Sequence, residues 1–97
     1  MNYVVELVRK ADGHGVSIEA RITTEGDLLL VGREELPVEA QTAGPAEQEY
    51  WLRVPAAAKD AALLSLLENF FGGNALAVSD LRAVLIATGV PCELYSQ

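Results

Sequence analysis

From Glu49 to Phe71 the chain reads EYWLRVPAAAKDAALLSLLENFF, and the spacing of its apolar residues changes partway through. Up to Val54 the letters alternate, with Tyr50, Leu52 and Val54 on one face of a pleated strand and Glu49, Trp51 and Arg53 on the other. After Pro55 the apolar residues recur at helical spacing, Leu63, Leu67 and Phe70 making one stripe that Leu64, Leu66 and Phe71 widen. A strand that gives way to a helix at one proline commits the chain to an α+β domain. Pro55 suits a first helical position because it has no N–H to lose, although no Ser, Thr or Asp beside it supplies a cap. Gly72-Gly73 ends this helix through a left-handed cap.

Upstream, Tyr3 to Arg9 reads as a strand and Ala11 to Gly15 as a turn. Val16 to Thr23 alternates strictly, and Glu25-Gly26 makes a tight hairpin into a third strand, Asp27 to Gly32. Leu28-Leu29-Leu30-Val31 is apolar on both sides, so that strand is either central or offers a face to a partner chain. Residues 33–46 have no period and are expected to form a mobile acidic loop. The fourth strand is Gln48 to Val54. Downstream, Ser79 is placed to cap a second helix with Leu81, Val84 and Leu85 on its inner stripe, Gly89 closes it, and Val90 to Tyr95 reads as a last short strand. The expected fold is a single α+β domain over 1–97. Its mainly antiparallel sheet has four to five strands, two helices pack on one face, and the order is β-β-β-β-α-α-β.

Composition narrows the chemistry. Fourteen acids against seven bases repel nucleic-acid phosphates and anionic lipid, so neither nucleic acid nor membrane is an expected partner. The start of the chain lacks the order of a signal peptide and no apolar run is long enough to span a bilayer, which leads to a cytoplasmic expectation. A lone cysteine, Cys92, cannot form an internal disulfide, and its apolar and acidic neighbours disfavour the thiolate. His14, the one histidine, lies between two glycines in a turn. No nucleophile–base pair, metal-ligand spacing or phosphate loop is legible, so no catalytic residue, metal or cofactor is expected.

The expectation is therefore a non-enzymatic protein-interaction module. Its candidate contact residues are Trp51 and Arg53, typical interface anchors, and the acids Glu34, Glu35, Glu39, Glu47 and Glu49. One version is a small inhibitor or immunity-like protein whose carboxylates cover a basic partner. The alternatives are a small-molecule binder or enzyme with a pocket between sheet and helices, and a structural homodimer built through an edge strand or the open sheet face. Alternation leaves open whether Trp51 or Tyr50 faces outward.

The segments Glu49-Tyr50-Trp51-Leu52-Arg53-Val54-Pro55 and Gly89-Val90-Pro91-Cys92-Glu93-Leu94-Tyr95 resemble a recurring type of small bacterial protein. In that type an E-Y-W-x-x-V-P strand enters a helix and a G-V-P-x-E-x-Y segment follows. The resemblance covers about the C-terminal half. It implies a soluble bacterial domain and carries no catalytic residue onto this chain.

Overall fold

The computed structural model describes residues 3–9, 15–35 and 47–96. It is of the α+β class, with four strands followed by two helices: β1 (Val4–Val8), β2 (Val16–Ile22), β3 (Leu28–Glu35), β4 (Glu47–Val54), α1 (Lys59–Phe71) and α2 (Ala77–Ala87). The chain divides into two compact units, residues 2–62 with the sheet and residues 63–97 with most of the helical part.

In the sheet unit the strands lie in the order β1-β2-β3-β4 and every neighbour is antiparallel. Strand β3, with its apolar run Leu28 to Val31, is thus flanked on both sides, by β2 and β4. The β2–β3 turn is a three-residue loop: Gly26 N–H donates to Thr23 O, Thr23 N–H to Asp27 O, and Gly26 takes φ +88°. That is the geometry in which glycine is least strained. From Leu28↔Val54 to Glu35↔Glu47 the β3–β4 ladder runs without a register shift. Strand β1 differs, because its register with β2 slips between Glu6 and Val8 and leaves Leu7 as the extra residue of a bulge.

Directly paired residues share a face of a sheet. One face is apolar: Ile18, Ala20 and Ile22 of β2 stand beside Leu28 and Leu30 of β3, which stand beside Val54 and Leu52 of β4. Gly32 belongs to this face, and a Cβ there would fall inside the ring of Tyr50, its register partner. The aromatic ring lies over the bare glycine backbone, which keeps Gly32 buried in an otherwise open strand end. The opposite face carries the charges, with Val31 at its centre.

Two strand boundaries differ from the sequence reading. Arg33, Glu34 and Glu35 are not loop but the last residues of β3, where backbone pairing to Glu49, Gln48 and Glu47 outweighs their lack of apolar pattern. Residues 36–46, the remainder of the expected loop, lie outside the described residues, as does His14. The expected fifth strand over 90–95 is absent, and 91–96 run without ladder pairing. The reason lies in how α2 ends. Val90 N–H donates to Leu85 O and Gly89 N–H to Ile86 O around Gly89 at φ +76°, a left-handed cap that consumes the amide a ladder would need. Pro91 has no N–H to offer next.

In the helical unit α1 ends as its glycines suggest: Gly72 N–H donates to Glu68 O, and Gly73 takes φ +82°. Helix α2 begins two residues earlier than Ser79. Leu76 is its cap residue, and Asn74 organises the turn by accepting from Leu76 N–H at 2.8 Å and donating to the Asp80 carboxylate at 2.9 Å. Neither helix contains a fully buried residue. Leu67, Leu81 and Leu85 are half-buried, whereas Leu63, Phe70 and Val84, expected in the same inner stripes, are exposed.

Candidate functional site

The junction between β4 and α1 is held by a residue of the β2–β3 turn. Asp27, on the bend that opens β3, is 9% exposed. Its Oδ1 accepts Ala56 N–H at 2.8 Å and its Oδ2 accepts Arg53 Nε–H at 2.9 Å. Thr23 Oγ1 accepts the Asp27 N–H at 3.0 Å and fixes the bend. The helix start that lacks a neighbouring cap thus receives one from far along the chain. With that amide satisfied, Pro55 stays extended (φ −61°, ψ 152°), and residues 56–58 wind as a single 3-10 turn before α1. Pro55 therefore caps the turn and is not its first helical residue. The Ala56 N–H, the Arg53 guanidinium and, more weakly, the field of Lys59 hold the Asp27 carboxyl below its ordinary value against the opposing pull of burial.

Arg53, an expected contact residue, is thereby committed on one side to Asp27 while most of its side chain stays exposed. Glu49 is likewise tied, accepting from Arg33 Nε–H at 2.7 Å. Between them on the same face stands Trp51, 60% exposed, opposite Val31, which at 5% is the buried hydrophobic residue of the described chain. Both answers to the facing question are thus realised together: Trp51 lies open on the charged face, and on the apolar face Leu52 is 61% and Tyr50 41% exposed. Strand β4 presents large apolar side chains on both sides of an edge.

The acids divide. Glu34 and Glu35 are exposed at the end of β3, with Gln48 and Glu47 as register partners. Glu49 sits one pair further in, facing Arg33. Glu39 lies outside the described residues, and of Glu47 only the backbone placement is given. Among the described residues no group of three acids, His or Cys converges as a metal site.

Two hollows accompany these surfaces. One, about 300 Å³, lies on the sheet unit and is lined by Glu6, Arg9, Ser17, Glu19, Val31 and Arg33 among others. Its charges are engaged in neighbouring pairs: Arg9 with Glu6 at 2.6 Å, Glu19 with Arg21, and Arg33 with Glu49. The other, about 190 Å³, is a mainly apolar hollow between α2 and the tail, lined by Val78, Leu81, Leu85 and Leu94 with the exposed thiol of Cys92. Ser17 lines the first together with Glu6 and Glu19, and Arg82 and Glu93 line the second beside Cys92. No described helix is long and apolar enough to cross a membrane.

Neither Asp27 nor Gly32 stands out as a key residue in the sequence. Asp27 had one available signal, an acid directly after a turn glycine and before an apolar strand. Its partners 26 and 29 residues away gave none. Comparison with family models, with curated proteins and with solved structures finds no match to this chain.

Proposed function

We propose that the protein is a non-enzymatic protein-interaction module whose contact surface is the open β4 edge with its flanking faces. The observation that carries this reading is the exposure of Trp51, Leu52 and Tyr50 on consecutive positions of an edge strand. Scattered apolar residues on a surface need no explanation, but three large ones at consecutive positions of a strand that is an edge among the described residues, Trp51 on one face and Tyr50 and Leu52 on the other, give that edge apolar contact area on both sides. Arg53 and Glu49 frame them as a polar rim. The aromatic and aliphatic side chains would supply affinity and the edge backbone would supply register, as in strand-addition recognition.

A version with a basic partner draws support from Glu34 and Glu35, exposed at the end of β3 beside the same edge. Salt separates the versions, because surface charge pairing fades as the Debye length shortens and apolar burial does not.

The test compares baits. Wild-type protein and the Trp51→Ala and Leu52→Glu variants are immobilised and offered lysate at low and high salt, and each variant's own mass is measured in solution. The reading expects the variants to lose a protein that the wild type retains, or to lose self-association that the wild type shows. Baits that remain folded and match the wild type in both respects contradict it. Retention that vanishes only at high salt identifies a basic partner.

A further inference from the structure

The two edges of this sheet are not equivalent. Natural sheets blunt their edges with bulges, prolines or lysines, because an unpaired ladder recruits other strands. Strand β1 carries such a bulge after Glu6. Strand β4 carries none: its eight residues keep regular register with β3 and include neither Pro nor Lys. Among the described residues β4 is thus the regular edge of the sheet and β1 the bulged one.

We propose that β4 recognises a second copy of itself, two β4 strands pairing antiparallel about Trp51 to join two four-stranded sheets into one. The proposal rests on the reading of β4 as the contact surface and names its partner. The argument is self-complementarity. About a two-fold axis through Trp51, Glu49 stands opposite Arg53 of the second copy, and Arg53 opposite its Glu49. On the other face Tyr50 meets Leu52 and Leu52 meets Tyr50. From 49 to 53 every direct pair is then of a kind that stabilises antiparallel strands: opposite charges, aromatic with aliphatic, aromatic with aromatic; beyond them Gln48 meets Val54. A shift of two residues in one direction sets Leu52 against Gln48, and in the other sets Trp51 against Arg53. Only the register about Trp51 sets Glu49 opposite Arg53 in both symmetric pairs.

The existing ion pairs extend this pattern and do not compete with it. Asp27 lies against Arg53 and Arg33 lies against Glu49 within each chain. Across the joined edge the order becomes Asp27, Arg53, then Glu49 and Arg33 of the second copy, a row of alternating sign. A guanidinium carries five N–H donors and a carboxylate two accepting oxygens, so each inner group can serve a neighbour on either side.

Sedimentation of the wild type from micromolar to millimolar concentration is expected to show the 10.4 kDa chain passing to twice that mass. Arg53→Glu and Glu49→Arg each place like charges opposite one another in both symmetric pairs, and each is expected to weaken self-association roughly tenfold or more. Mixed in equal amounts, the two variants are complementary and should form a heterodimer. A constant monomer mass for the wild type overturns the proposal, while the bait comparison above still decides whether β4 binds some other protein. Unweakened self-association of both single variants overturns it too, as does a mixture that stays monomeric. Because these substitutions disturb Asp27 and Arg33 contacts, a variant that loses its folded circular dichroism is replaced by the double variant Gln48→Cys with Val54→Cys in a Cys92→Ser background, which keeps Trp51 and sets the two positions opposite one another across the joined edge. There oxidation should give a cross-linked dimer, and Thr24→Cys in the same background should not. Equal cross-linking of the two, or none of either, counts against the pairing.

Discussion

Val31→Asp is expected to destabilise the sheet unit by at least ~3 kcal/mol, enough to remove a large share of the stability of a small domain. Val31 lies in the central strand, is 5% exposed, and is flanked across the ladder by Glu19 and Trp51. A carboxylate at that point would lose its water beside an existing carboxylate. The nearby guanidinium groups already serve carboxylates, Arg21 with Glu19 and Arg33 with Glu49, so an added carboxylate that does not share their remaining donors, Arg21 Nε among them, stays uncompensated. The charge must either be neutralised by protonation or drive the strand open. Val31→Ala serves as the graded control. It removes two methyl groups without adding a polar atom and should cost roughly 1–3 kcal/mol. Urea denaturation followed by circular dichroism reads both. A Val31→Asp midpoint equal to that of wild type would show that Trp51 and its neighbours do not enclose this position.

The second large effect concerns Asp27 and acid. Its carboxyl is held below 3.8 by the Ala56 N–H and then by Arg53, so as pH falls the unfolded chain takes up the proton before the folded one does. The stability Asp27 contributes is therefore complete above the ordinary carboxylate range and is lost progressively as pH drops through the depressed folded value. Asp27→Ala removes both hydrogen bonds and should lower Tm at neutral pH by roughly 4–8 °C or more. Asp27→Asn keeps an oxygen for Ala56 but presents no charge to Arg53, so its loss should be smaller at neutral pH and should shrink further toward pH 3. Thermal melts from pH 3 to 7 test this. An equal Tm difference between Asp27→Asn and wild type at every pH would mean the carboxylate is not the stabilising species.

The contrast between these two residues shows what the letters could reveal. Strand β2 was plain in the sequence because its alternation is local, with Ile18, Ala20 and Ile22 sharing one face, and the ladder places them together. The central position of β3 was one of two options that its double-sided apolar run allowed. The role of Asp27 was hidden because a carboxylate that caps a distant turn has no periodic signature; only the folded hairpin brings Ala56 and Arg53 to it. The ends of β3 and β4 were hidden for a related reason. Arg33 to Glu35 are strand by backbone pairing to β4, and their polar side chains read as loop. The tail erred in the opposite sense: Val90 and Leu94 looked like a strand, but the Val90 amide is spent on closing α2. At the candidate site, alternation separated Trp51 and Arg53 from Tyr50 and Leu52 correctly. Which side would be open was not legible, since both sides are, and an edge strand becomes one only through the order of its neighbours.

Amide hydrogen exchange, resolved residue by residue at low and high protein concentration, tests β4 as the working edge most directly. Alternate amides of 48–54 point away from β3 and should exchange freely when the protein is dilute, then gain protection as concentration rises, while Val4–Val8 on the bulged edge stays unchanged. Protection that never rises along β4, or that rises along β1 instead, contradicts the account.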